Sequence, residues 1–364
     1  MSSFSFRFYQ KIITFASRVI FFAIIFPTLC FSSLPPIFNL DKNFIAFLIA
    51  LAIVIPVERA TSLWFMAVSH LSLFCTVYLV LHIFFADKLW FGYATVFGFA
   101  PFIICALFLM LGLFLAKKIR VKKYSVGSGT KGEHIKVVQL TDMHPSRFFS
   151  LSTVRYIFSL VQKQNADIIV MTGDIFDENT SPDMFDKYCA LFSEIVPKYG
   201  IYYVFGNHDA HWLWKKPAHS REDIVNSLKS ANVRVLEDES VTVFGGKVRI
   251  IGRRDVLDER KTPAELLAPY KDEDTYKILL CHEPIGLEEC AKNGADLTMC
   301  GHTHGGQIFP VGILSSLFGI NEMRYGIRNY PDSRCVIVSS GVGTWKYPIR
   351  TESRSEIVVV DVNL

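Results

Sequence analysis

Charge is what the opening part of this chain lacks. Up to Ala116 the only charged residues are Arg7, Lys11, Arg18, Asp41, Lys42, Glu58, Arg59, Asp87 and Lys88. The chain as a whole is 20% charged over 364 residues, so nearly all the rest lies beyond Ala116. So little charge excludes an ordinary soluble domain there. The 8 cysteines include no C-x-x-C and no framework spacing, which excludes a disulfide scaffold and a cysteine-built metal finger. Unpatterned thiols fit a reducing compartment. Strong net charge is missing too: the formal value is +4, which gives no case for a nucleic-acid partner. No internal repeat is visible.

What is there instead is hydrophobicity, 51% of all residues. A bilayer-spanning helix takes about 20 apolar residues. Residues 12–34, 63–85 and 89–116 meet that length, and the shorter 44–57 is closed by Pro56 and Glu58. The pattern predicts a bundle of about four transmembrane helices, or three with a re-entrant piece. Repeated apolar segments without a clean cleavage site do not fit a signal peptide. The basic run KKIRVKK, 117–123, follows the last segment and marks that end as cytoplasmic. The expected organisation is a membrane anchor over 1–120, a basic Gly/Ser linker over 121–134 and a soluble domain over 135–364. The expected protein is integral and multi-pass in the inner or plasma membrane, with its soluble domain in the cytoplasm. His70 and His82 lie inside the third segment, as functional groups at membrane depth or as packing groups.

From residue 135 onward, strand-like and helix-like patterns alternate. IKVVQL, DIIVMTG, IYYVFG, YKILLC, ADLTMC, CVIVSS and EIVVVDV read as buried strands, with two further runs near 233–236 and 247–251. Helical spacing appears over 151–165, 182–196 and 221–230. Such alternation predicts an α/β domain whose strands are covered on both faces.

Chemistry-bearing residues sit just after the strands. TDMH follows the first, TGD the second, GNHD the third, CHEP the YKILL strand and GHTH the ADLTMC strand. Ligands of open α/β sheets bind outside the carboxyl ends of strands. The loops there offer Asp142, His144, Asp174, Asn207, His282, His302 and His304. Imidazoles mixed with hard oxygen donors suit Mn²⁺, Fe²⁺ or Zn²⁺. Seven donors exceed what one ion takes and serve two if a carboxylate bridges. Residues at i and i+2 of an extended segment point the same way, so His302 and His304 can each reach one of two adjacent ions. Gly305 and Gly306 would let the chain turn tightly around them.

The ordered set Asp142-x-His144, Gly173-Asp174-x-x-Asp177, Gly206-Asn207-His208-Asp209, His282 and Gly301-His302-x-His304 resembles the calcineurin-like metallophosphoesterase superfamily. The continuation GHTHGGQ resembles a bacterial phosphodiesterase-like branch with membrane-anchored members. The resemblance covers roughly 135–364 and implies a four-layer α/β/β/α sandwich. It implies a first metal held by Asp142, His144 and His304, a second by Asn207, His282 and His302, and Asp174 as bridge. It further implies hydroxide activated by the metals as nucleophile and His208 as the catalytic acid. Asp209 is expected to orient His208, or to cap a helix. Asp177 is expected to hold a metal ligand or water, or to cap its own loop. The implied function is phosphoester hydrolysis by a phosphodiesterase, and the anchor points to a membrane-proximal or lipid-linked substrate. The alternative is a metal-binding sensor without turnover.

Three further features bear on substrate choice. Trp212, Trp214, Lys215 and Lys216 follow the His208 loop and read either as a packed loop with a solvated basic edge or as a surface for a membrane interface or an anionic, partly apolar substrate. Arg253 and Arg254 either hold a phosphate or form surface pairs. Arg350, in YPIR, resembles a Pro-x-Arg element of the same branch.

Overall fold

The strands beyond residue 119 alternate between two apolar faces, and that alternation builds the layers. The computed structural model describes His70, Leu73, Phe74 and residues 100–364, apart from 128–131, 146–148, 179 and 211–217. Twelve strands over the described residues form two six-stranded sheets. The first sheet runs β1 (Arg120–Val126), β12 (Glu356–Asn363), β2 (His134–Leu140), β3 (Ile168–Thr172), β4 (Ile201–Val204) and β5 (Val233–Val235). The second runs β10 (Gly326–Asn329), β11 (Cys335–Val338), β9 (Leu297–Cys300), β8 (Tyr276–Leu280), β7 (Val248–Gly252) and β6 (Glu239–Val243).

Within β2, Ile135 and Val137 face the other sheet while Val138 and Leu140 face helices. In β3, Ile168 and Val170 turn one way and Ile169 and Met171 the other. Both sets are apolar, so the period of two separates two cores rather than core from solvent. The inner core joins these residues to Ile250, Ile278, Leu280, Leu297 and Met299 of the second sheet. Outside the first sheet pack α2 (Leu151–Gln162), α3 (Pro182–Phe192) and α4 (Arg221–Ser230), through Val154, Phe158, Phe185, Phe192, Ile224 and Leu228. Outside the second pack α5 (Pro263–Leu267) and α6 (Leu287–Lys292). The arrangement is the expected α/β/β/α sandwich. Burying a side chain such as Phe192 contributes about 1.5–3 kcal/mol.

Local signals start the helices. Ser150 caps α2 by accepting from Thr153 N, and Ser181 caps α3, whose first residue is Pro182. Ser220 and Asp223 form a reciprocal box at α4, as do Thr262 and Glu265 at α5.

The linker expectation needs correcting. Residues 120–126 are not linker but edge strand β1, parallel to β12 from Arg120↔Glu356 to Val126↔Val362. Lysines on an edge strand, here Lys122 and the exposed Lys123, blunt it against pairing with other chains, and they hid the strand pattern. Strands β6 and β10 and the short α5 and α7 (Val311–Leu317) were not anticipated either.

The anchor expectation falls almost wholly on residues outside those described. Helix α1 (Ala100–Lys117) covers most of the last apolar segment. It exposes Ile103, Ile104, Leu107, Met110, Leu111 and Phe114. Among the described residues no helix is long and apolar enough to cross a membrane. His70 is buried, with its ring 5.5 Å from that of Phe108, which fits the packing reading. His82 lies outside the described residues.

Candidate metal centre

Parallel pairing of β2 with β3, β3 with β4, β7 with β8 and β8 with β9 brings their carboxyl ends to one edge of each sheet. The loops there hold all seven expected donors. Asp142, His144 and His304 place one donor atom each within 4.8 Å of one another, and so do Asp142, Asp174 and His282. Asn207 joins through a 2.9 Å contact between its Oδ1 and His302 Nδ1.

Asp174 stands between the two groups. Its Oδ1 accepts from the His208 amide at 2.8 Å. Its Oδ2 lies 3.4 Å from His144 Nε2 and 3.1 Å from His282 Nε2. One oxygen thus faces an imidazole from each group, the position a bridging ligand needs. His282 is aimed by its other nitrogen, Nδ1, which lies 2.8 Å from Thr172 O.

The backbone is bent to achieve this. Asp142, His144, Asp174, His302 and His304 have φ of 52°, 40°, 52°, 71° and 49°. Each left-handed non-glycine residue costs about 1 kcal/mol or more, and such strain concentrates at functional sites. Gly305 and Gly306, at φ 59° and 92°, make the tight turn expected after His304. Gly301 answers to close approach, because a Cβ there would collide with Asp142 Oδ2.

The electrostatics suit cations. Asp142, Asp174, His144 and His282 are each no more than 2% exposed. Both ring nitrogens of His144 and Nε2 of His282 are buried without a well-formed hydrogen bond, their nearest acceptors being the Asp174 and Asp177 carboxylates at 3.1–3.8 Å. An unpartnered buried donor atom is costly, and a metal ion would satisfy all three. Burial pulls the His144 imidazole down, but Asp174 and Asp177 outweigh it and hold the group up at about 10. His282 is likewise held well above its ordinary value against burial, chiefly by Asp174. Burial drives His302 down to about 4 and His304 well below the usual range. The carboxylates thus favour positive charge at His144 and His282, where metal charge would sit, while burial disfavours it at His302 and His304. The donor set and its orphaned nitrogens fit a pair of divalent ions.

His208 lies at the rim of this cluster, its ring centroid 5.2 Å from that of His144 and 5.5 Å from that of Trp345. The expectation that Asp209 orients it is corrected. Asp209 Oδ2 accepts from the amides of Asp174 and Gly206 at 2.8 and 2.7 Å, and its Oδ1 from Phe176 at 2.9 Å. Asp209 therefore clasps two metal-site loops together and caps no helix. The carboxylate beside the His208 ring is Glu178, with Oε2 2.9 Å from Nδ1. The only sequence signal for Glu178 was its place next to Asp177. Asp177 Oδ2 lies 3.8 Å from His144 Nδ1, and its Oδ1 accepts from the Thr180 hydroxyl at 3.2 Å. Both readings of Asp177 thus have a contact behind them. Glu283, also unforeseen, groups with His282 and His302 within the same 4.8 Å.

Arg350 is fully buried and reaches across the first group. It donates to the carbonyls of His304, Ser340, Gly341 and Gly343 and to Ser353 Oγ. Burial lowers its pKa to about 10, which leaves it charged at neutral pH. Arg253 corrects both of its expectations. It is 5% exposed and donates to the carbonyls of Lys261 and Ile285, so it is neither a surface pair nor a phosphate clamp. Arg254 lies on the surface, 4.0 Å from Glu237. Trp212, Trp214, Lys215 and Lys216 lie outside the described residues.

Comparison with known proteins agrees with this geometry. Residues 135–306 match the family model of the calcineurin-like phosphoesterases. An uncharacterized metallophosphoesterase of Aquifex aeolicus is 32% identical over 253 residues, 67% of this chain and 92% of the relative. The chain belongs to the calcineurin-like phosphoesterase family. That is a family of metal-dependent hydrolases. The phosphodiesterase YaeI of Escherichia coli is 26% identical over 62% of this chain and 82% of its own. A transmembrane protein with metallophosphoesterase domain from Danio rerio is 28% identical over 61% of this chain and 52% of its own. The match takes in 62% of the length of two metallophosphoesterases from Helicobacter pylori.

Proposed function

We propose that this chain is a membrane-anchored phosphodiesterase that works with two divalent metal ions on a phosphoester at or near the bilayer. The observation that carries the reading is Asp174 Oδ2, within 3.4 Å of an imidazole from each donor group. Asp142, His144 and His304 would hold one ion, Asn207, His282 and His302 the other, with Asp174 shared. Bound there, the ions would supply Lewis-acid binding of phosphate oxygens and activation of water. Mn²⁺, Fe²⁺ and Zn²⁺ all suit the donors.

The side chains do the rest. Glu178 fixes the His208 ring through Nδ1, which leaves Nε2 to give a proton to the leaving oxygen. Asp209 holds the loops that carry Asp174 and His208 at a fixed spacing. The buried walls keep bulk water away and so strengthen every charge interaction inside. A sensor without turnover would give the His208–Glu178 pair no task. The low-charge stretch up to Ala116, with its bilayer-length apolar runs and the basic cluster after it, supports anchoring with this domain on the cytoplasmic side.

The test uses the full chain in detergent, loaded with Mn²⁺ and given a bis-aryl phosphodiester. Turnover should require metal and should be lost in His208→Ala with metal content unchanged. Wild-type turnover in that variant would remove the assignment of His208. Tight metal uptake without hydrolysis of any phosphoester offered would favour the sensor.

A further inference from the structure

Helix α7 starts within seven residues of His304 and is built inside out. Its small residues, Gly312 and Ser315, turn toward the protein, and Gly312 is the one residue it buries. Its large apolar residues turn away. Val311, Ile313 and Leu314 are about half exposed, while Leu317, Phe318 and Ile320 are 74%, 71% and 70% exposed. A helix that presents its apolar stripe outward needs a second apolar body to cover it.

Three observations say what covers it. From Gly305 to Asn321 there is no charged residue, so nothing in the segment offers a protein partner an ion pair. The tip satisfies its own polar groups: Phe318 N donates to Leu314 O, Gly319 N to Ser316 O, Ile320 N to Ser315 O, and Ser316 Oγ to Gly312 O. Internally satisfied backbone is the condition for entering hydrocarbon. The chain also carries bilayer-length apolar runs before this domain and a basic cluster at its start, which keeps a lipid surface within reach.

The segment is joined firmly to the metal-site loop. A Cβ on Gly306 would lie 2.6 Å from Gly312 Cα, so the helix start and the turn after His304 are in backbone contact. Gly312 N donates to Glu352 Oε2 at 2.7 Å, and Phe309 N to Thr351 Oγ1 at 2.9 Å.

We infer that α7 and its tip dock into a lipid bilayer, with Leu317, Phe318 and Ile320 entering the acyl boundary and the His302–His304 loop held at the depth of lipid headgroup phosphates. The inference rests on the membrane-anchored reading above and deepens it: the substrate class becomes a phosphoester of a lipid headgroup, met in the plane of the membrane.

The test places the full chain in phosphatidylcholine/phosphatidylglycerol vesicles with an environment-sensitive fluorophore on Phe318→Cys or, as control, on exposed Asn226→Cys of α4. Labelling of the unsubstituted chain gives the background. At position 318 the emission should shift to the blue. It should be quenched by spin-labelled lipid at a depth of about 5–10 Å and protected from an aqueous quencher. The control should show the reverse. Adding Leu317→Glu to the labelled Phe318→Cys chain should return the label to water while aryl-phosphodiester turnover and metal content stay unchanged. A label that stays wet on vesicles overturns the inference. So does one shielded from both quenchers, which would mean that protein, including a second copy of this chain, covers the face. Flotation separates the two claims. A chain that floats with a wet label keeps the anchor and loses the docking. A chain that fails to float loses both.

Discussion

The two halves of the proposed metal centre hold their histidines in different ways. On the Asn207, His282 and His302 side, Thr172 O aims His282 and Asn207 Oδ1 meets His302, with the Glu283 carboxylate close to both rings. On the Asp142, His144 and His304 side, support comes from a buried guanidinium. Arg350 binds the carbonyls of His304, Ser340, Gly341 and Gly343, and Gly343 N in turn donates to Asp142 O. A fully buried cation is costly on its own, and here backbone dipoles offset it. The lesson is that one half draws on a buried cation from far along the chain, Arg350, while the other has its rings met by residues of its own strand ends, Thr172 and Asn207.

That contrast can be broken at several points. Asp174→Asn should do most, because it alters the group both halves are proposed to share. Metal should be lost from both groups and turnover should fall by about a thousandfold or more, as read by metal analysis and a phosphodiesterase assay. Next comes His208→Ala, with a loss of about 10²–10⁴ in turnover at unchanged metal content. Glu178→Gln should cost less, about 10–100-fold, by loosening the ring rather than removing it. Arg350→Met should separate the halves. Metal affinity should fall about 10–100-fold in the Asp142 half alone. The metal-free chain should lose about 3 kcal/mol or more as its buried carbonyls go unpaired, seen in denaturant unfolding. Arg350→Lys should recover part of both. Equal metal loss from both halves in Arg350→Met would erase the distinction.

The smallest effect is on pH. Without metal, His144 holds its proton up to about 10 against an ordinary value near 6.5. The folded state binds that proton more tightly. Its contribution to stability is therefore complete below about 6.5 and is lost as pH rises through about 10. Metal must displace the same proton, so affinity rises over that window and falls on acidification. Thermal melts with Mn²⁺ and with chelator should draw apart as pH rises from about 6.5 to 9.5. A gap that narrows would contradict the assignment of His144 as a ligand.

How much could be read in advance depended on whether a residue's role was local. The seven donors each follow a strand, and alternation of apolar residues reveals a strand, so motif order placed them at one edge. Strand β1 escaped because Lys122 and Lys123 mask its alternation, although Val126 is buried in the inner core. Glu178 and Asp209 escaped in a different way. All their partners but the Gly206 amide, namely His208 and the amides of Asp174 and Phe176, lie about 30 or more residues away in sequence. Only the fold decides which of two adjacent carboxylates meets the imidazole. Arg253 misled for the same reason: an arginine after a strand can face solvent, a ligand or, as here, two backbone carbonyls.

The most direct test of the account is electron paramagnetic resonance of the full chain titrated with Mn²⁺. Ions that share Asp174 Oδ2 should show the exchange-coupled spectrum of a bridged pair, and Asp174→Asn should abolish it. A spectrum of isolated Mn²⁺ at saturation in the wild-type chain would contradict the bridge.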